Sequence, residues 1–268
     1  MRGSAHATAL RTSVLAGLAI GALTSLPRSQ AAVPPPEVRQ CLGQRLHGQE
    51  PAAQKCFTGL ARANLPYLRA EGAWGLADYD TANTEFRAAV AQADGNALYR
   101  TRWGELLHER FNNVDAVALF KEALQRDPKD AQAMLGLARV SADGFDNEAV
   151  SWAGKALAAD PKLAAAHELL ANLALEDNQP DLAVKEADTA LGLDPESLDA
   201  MAMHAVIEIL ADRSPDQWWA RLHAINPVYG PGFAIAAQQL VLNRRYQDGG
   251  SDVPEGPGGL AHVMVCTL

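Results

Sequence analysis

The sequence predicts an all-α chain organised as an α-solenoid, a stack of antiparallel helix pairs rather than one globular core. Three observations predict it. An Asp-Pro joint recurs as Asp127-Pro128, Asp160-Pro161 and Asp194-Pro195, with Asn226-Pro227 as a fourth relative. The step is about 33 residues, the size of a repeated helix pair. Alanines stand at two fixed distances ahead of the first three prolines, Ala116, Ala149 and Ala183, then Ala123, Ala156 and Ala190, where small side chains let two helices approach closely. The stretches ahead of the joints carry apolar residues at helical spacing and no internal proline.

Each element follows in order. Residues 38–46 and 52–63 read as two short helices around the turn Gly48-Gln49-Glu50-Pro51, which makes 32–71 an amino-terminal helical hairpin. Cys41 and Cys56 flank that turn and lie opposite each other in an antiparallel pair, so a disulfide between them is expected. Ala82, Phe86, Ala89 and Asp94 form a degraded unit without a closing proline. Helices are expected over 115–125, 147–158 and 182–191. Each is stopped by its Asp-Pro pair, because proline cannot continue the backbone ladder and restrains the residue before it. A second helical run follows each joint, as in 131–141 and 163–175. The next unit has Asp212, Arg213, Ser214 and Pro215 at its interhelical turn, and Trp218, Trp219 and Leu222 where small and bulky repeat residues belong. Residues 228–246 read as one more first helix, with Ala237, Leu240 and Tyr246 in phase. Gly249-Gly250-Ser251-Asp252 then ends the rhythm, and 247–268 is an irregular tail. The half repeat before it carries the expectation that the natural array continues and that this chain is a truncation, for instance through a shifted reading frame, with a genuine flexible tail as the alternative.

Taken in phase, these residues resemble the tetratricopeptide repeat (TPR), whose pattern has Gly or Ala in the first helix, Ala, a bulky residue and Ala in the second, and a closing Pro. Trp103-Gly104, Ala116, Phe120, Ala123 and Pro128 match it in one unit. Leu135-Gly136, Ala149, Ala156 and Pro161 match in the next, and Leu170-Ala171, Ala183, Ala190 and Pro195 in a third. The resemblance covers 72–246 and is strongest over 97–195. It implies a right-handed superhelix and a protein-binding scaffold of the exported bacterial type.

Residues 1–31 are expected to leave the mature chain. Arg2 and Arg11 make a positive start, an apolar run follows, and Ser29-Gln30-Ala31 offers small residues for cleavage, the pattern of a secretory signal peptide. The apolar run is shorter than the roughly 20 residues a membrane helix needs. Nothing further along could span a bilayer, so the mature protein is expected to be periplasmic or extracellular. The formal charge is −9, and loss of Arg2, Arg11 and Arg28 makes the mature chain more acidic still. That balance argues against nucleic acid and anionic lipid as partners.

Nothing in the sequence carries catalysis. His167-Glu168-Leu169-Leu170-Ala171 begins like a zinc-peptidase motif, but Ala171 stands where the second histidine is needed. No Cys-x-x-Cys, Gly-x-Ser-x-Gly or phosphate-binding loop occurs, so neither metal nor cofactor is expected. The resemblance instead implies a peptide groove lined by the first helices. Its positions fall on Thr101, Glu105, His108 and Glu109 in the first strong unit, Glu168, Asn172 and Glu176 in the third, and His204 and Glu208 in the degenerate unit after it. The middle unit offers Ala133, Leu137, Val140 and Ser141. Glu168 replaces the lysine that a carboxylate clamp would need beside Asn172, so the expected partner is a basic or amphipathic protein or peptide segment. Two rival readings stand beside this scaffold: the amino-terminal TPR region of a longer exported enzyme, metallopeptidase-like for example, and a structural role in envelope assembly.

Overall fold

The computed structural model describes residues 33–242, which form thirteen α-helices and no strand among the described residues. They are α1 (Pro36–Leu46), α2 (Glu50–Leu60), α3 (Pro66–Gly75), α4 (Tyr79–Gln92), α5 (Ala97–Glu109), α6 (Asn113–Arg126), α7 (Ala131–Asp143), α8 (Glu148–Ala159), α9 (Ala164–Glu176), α10 (Pro180–Leu193), α11 (Leu198–Leu210), α12 (Asp216–Ile225) and α13 (Pro231–Leu242). Successive helices pair as α3–α4, α5–α6, α7–α8, α9–α10 and α11–α12, and each pair stacks on the next, giving an all-α solenoid. The first of these pairs opens at Pro66, so the array boundary expected at 72 falls inside α3. The signal segment 1–31 and the tail 247–268 lie outside the described residues.

Two local devices repeat along the stack. At the joints, Asp127, Asp160, Asp194 and Asn226 end α6, α8, α10 and α12 in extended conformation, with φ between −130° and −139°. Each side chain accepts a hydrogen bond from the backbone two residues on: Lys129 N at 2.9 Å, and Lys162, Glu196 and Val228 N at 3.0 Å. The carboxylate or amide thus replaces the helical partner that the following proline prevents. At the turns between first and second helices, the chain passes through the left-handed region at Ala77, Phe111, Phe145, Asn178 and Asp212. The next amide closes each turn, Asp78 N on Ala73 O, Asn112 N on Leu107 O, Asp146 N on Ser141 O, Gln179 N on Ala174 O and Arg213 N on Glu208 O. This is the Schellman arrangement that satisfies the last carbonyls of a helix.

The core is thin and runs through the stack. Ala116, Ala123, Ala156, Ala183, Ala187 and Ala190 are fully buried, and large side chains fill the space where a neighbour is small. Phe120 is the clearest case. A Cβ on Gly104 of its own pair would lie 2.7 Å from the Phe120 ring, and one on Gly136 of the next pair 2.3 Å from it. Gly136 is therefore there to admit Phe120, not to mark the same register as Gly104. Counted from the helix starts, Gly104 aligns with Ala138, Ala171 and Ala205, all buried, so the middle unit's equivalent of Trp103-Gly104 is Leu137-Ala138 and not Leu135-Gly136.

Both ends of the array are tied down. Cys41 and Cys56 are disulfide-bonded across the α1–α2 hairpin, their Cα atoms 5.4 Å apart. The hairpin turn reaches the far end of the solenoid. Leu46 packs against the carboxyl-terminal cluster, Asn226 Nδ2 donates to Arg45 O at 3.4 Å, and His47 Nε2 sits 3.4 Å from Glu196. Gly48, at φ +67°, has no room for a side chain, since a Cβ would meet Asn226 Oδ1 at 2.7 Å. At the other terminus, α13 packs on α11 and reaches α9, so it lies over the first-helix face rather than only extending the stack. Gln239 of α13 donates to Asn172 Oδ1 at 2.8 Å.

Candidate functional site

The first helices α5, α7, α9 and α11, with α13, enclose an open cavity of about 630 Å³. Its lining includes His108, Arg139, Asp143, Glu168, Asn172 and Glu176, with Asp199 and the rings of Phe111 and Phe145 at its margins. Four of the nine residues expected in a groove, His108, Glu168, Asn172 and Glu176, are brought together here.

Their local chemistry is specific. His108 Nε2 lies 2.7 Å from Asp143 Oδ2, linking α5 to α7. Glu168 Oε1 accepts from Ser197 Oγ at 2.6 Å, while Ser197 Oγ caps α11 by accepting from Ala200 N at 3.0 Å. Asn172 donates to Glu176 Oε1 at 2.9 Å and accepts from Gln239, so its amide is engaged within the chain. Burial is the main influence that raises the pKa of Glu168, with Asp199 adding to it against the Ser197 hydrogen bond. Burial likewise raises Glu176, reinforced by Asp177 and Asp143. Each carboxylate is charged at some cost, because desolvation and like charge both oppose it.

The other five expected residues lie elsewhere. Thr101 is fully buried, and its hydroxyl donates to Asp130 Oδ2 at 2.7 Å, where Asp130 caps α7 by accepting from Ala133 N at 3.0 Å. This is the Ser197–Glu168 arrangement with donor and acceptor exchanged, a joint between successive pairs rather than a ligand contact. At the intervening junction, Leu135 and Leu163 fill the equivalent places in one apolar cluster. Glu105 pairs with Arg102, which also binds Glu71 through Nε and Nη2 at 2.7 Å each and lies 4.4 Å from the Trp74 ring centroid. Glu109 accepts from Trp74 Nε1 at 2.7 Å and lines a separate cavity of about 490 Å³ between α1–α2 and α3–α5. Glu208 pairs with Arg213 in the next turn.

His204 is corrected outright. It is 5% exposed, stacked on Trp218 with ring centroids 4.1 Å apart, and its Nε2 lies 3.2 Å from Asp188. Counted from the start of α11, it stands where Trp103, Leu137 and Leu170 stand, facing the second helices. Burial, the largest influence, holds its pKa below the ordinary value despite Asp188 and Glu208. The same slip of register hid Arg139 and Asp143, which occupy the groove positions of α7 while Ala133 and Leu137 are buried. Counting from the cap residue Asp130 places Arg139 and Asp143 at those positions. No comparable signal marked Phe111 or Phe145, since phenylalanine does not favour left-handed backbone.

Among the described residues, no group of His, Cys, Asp and Glu is placed to hold a metal ion, and no helix is long and apolar enough to cross a membrane. No family model and no curated protein matches the chain. Solved structures that it resembles include PilW, described as a widely conserved type IV pilus biogenesis factor. The identity is 20%, the TM-score is 0.52, and the match covers 76% of this chain and 96% of that one. PilF of Pseudomonas aeruginosa is similar at 15% identity and a TM-score of 0.51, over 79% of this chain and 95% of that one. Both are TPR proteins, and the likeness to them is one of fold: the chain has the tetratricopeptide-repeat fold.

Proposed function

We propose that the chain is a non-catalytic interaction scaffold that holds a basic protein or peptide segment against its first helices. The observation that carries this reading is the charge of the 630 Å³ cavity, where Asp143, Glu168, Glu176 and Asp199 face Arg139 and His108. A cationic segment would relieve the mutual repulsion that, with burial, raises the Glu168 and Glu176 pKa values, and complementary charge of this kind steers and selects a partner. Because α13 and Gln239 engage Asn172, the accessible part of the site is centred on Asp143 and Glu176. An exported location is supported by the amino-terminal sequence pattern and by the Cys41–Cys56 disulfide, which belongs to an oxidising compartment.

The test is a titration with short oligolysine and oligoglutamate peptides at low and moderate salt. Oligolysine should bind, more weakly as salt rises, and the Asp143→Lys/Glu176→Lys variant should lose that binding. Equal affinity for the two peptides, or an unchanged affinity in the variant, would sink the proposal. A second reading, a structural role in envelope assembly, is favoured by the likeness of fold to a pilus biogenesis factor. It differs in needing a stable complex with an envelope component rather than a free peptide.

A further inference from the structure

The edge of the solenoid formed by the turns between first and second helices carries an apolar strip that starts at the rim of the cavity and runs beyond it. Phe111 is 87% exposed and Phe145 78% exposed, both in left-handed backbone at φ +58° and +53°. The equivalent places hold Ala77, Asn178 and Asp212. Val114 and Val150, at the starts of the following helices, are also exposed, at 82% and 53%. Phe111 and Phe145 share the rim of the acidic cavity, and Phe145 and Val150 share a neighbouring cleft of about 300 Å³, so Phe111, Phe145 and Val150 form one strip across successive repeats. Contiguous apolar exposure with a polar surround marks an interaction surface.

The charges around the strip select its occupant. The cleft beside Phe145 and Val150 is lined by Asp146, Glu176 and Asp177 with no lysine or arginine, and Asp143 faces the strip from the cavity side. A second copy of this chain would set acid against acid, and an anionic lipid surface would be repelled. A segment with basic residues flanking an apolar face is matched in both respects.

We infer that this turn edge is the docking surface for an amphipathic, lysine- or arginine-bearing segment of a partner protein. Its apolar side chains cover Phe111, Phe145 and Val150 while its basic groups reach Asp143, Asp146 and Glu176. The inference rests on the cavity being a site for basic segments, and extends that site over its rim.

The experiment uses the full chain and two probes, oligolysine and a synthetic helical peptide of roughly 18 residues with leucine on one face and lysine on the other. By fluorescence anisotropy, Phe111→Ala/Phe145→Ala should weaken the amphipathic peptide about tenfold or more, as loss of central aromatic anchors does. It should weaken oligolysine far less than the amphipathic peptide, and Phe111→Leu/Phe145→Leu should restore most of the amphipathic binding. Circular dichroism and the urea midpoint establish that the variants fold. If the alanine variant binds the amphipathic peptide as wild type does, while Asp143→Asn/Glu176→Gln still weakens oligolysine, the edge assignment is overturned and the cavity reading stands. If charge removal also leaves oligolysine unaffected, both fall. Sedimentation showing a dimer that the alanine variant dissolves would make a second copy the occupant, and Phe-dependent binding to phosphatidylserine vesicles would make it a lipid surface. Either result overturns the inference.

Discussion

Phe111 and Phe145 hold bulky side chains at backbone angles where a Cβ crowds the following carbonyl, at roughly 1–2 kcal/mol each. The Schellman bonds from Asn112 N and Asp146 N require those angles, so the strain belongs to the turn and not to the ring. Phe145→Gly should therefore be more stable than Phe145→Ala by about 1 kcal/mol in urea denaturation, because only glycine is at ease in that region. Equal stabilities would show that the turn relaxes to another conformation. Residue identities were legible here and residue roles were not. Glu168, Asn172 and Glu176 line one cavity at the spacing that the third unit predicts. Thr101 and His204 were misread because a polar side chain on a first helix can be spent on a joint or stacked in the core, and only its neighbours decide which.

Helix pairs are specified by size complementarity across their contacts. Phe120 occupies space left by Gly104 and Gly136, whereas Ala153 and Ala187 are small at the places Phe120 holds in its own pair. Gly136→Ala should destabilise the array by about 1–3 kcal/mol, the usual cost of overpacking a core. In combination with Phe120→Leu the loss should be less than additive, since the smaller side chain vacates the contested space. A double-mutant cycle in urea checks it, and full additivity would mean that the two residues do not meet. The helix pairs and their joints were readable because proline, Asp before it and the apolar period act within a few residues. The register of α7 was not, because Gly136 answers to a phenylalanine on the preceding helix.

Across the whole molecule, the α1–α2 turn and the later joints close the rim of the solenoid. The closure rests on Gly48 against Asn226, Leu46 on the carboxyl-terminal cluster and His47 beside Glu196. The hydrogen bond to Gly43 O, then that with Glu196, raise the His47 pKa above its usual 6.5. A base whose folded pKa is raised contributes stability that is complete below the unfolded value and is lost as pH rises through the folded one. The stability difference between wild type and His47→Gln should therefore be largest below pH 6.5 and shrink above it. A difference independent of pH would mean that His47 contributes only packing.

The sequence by itself determined that this chain is a stack of helix pairs, where each pair ends, and that its first helices carry an excess of acid. These are properties of backbone and period that act over one or two helical turns. Tertiary structure alone decided which acids meet around Asp143 and Glu176, that α13 engages Asn172, that two phenylalanines line one edge, and that Arg45–Gly48 meets Asn226. Each of those depends on small rotations accumulated from pair to pair, which bring together residues that no local spacing relates.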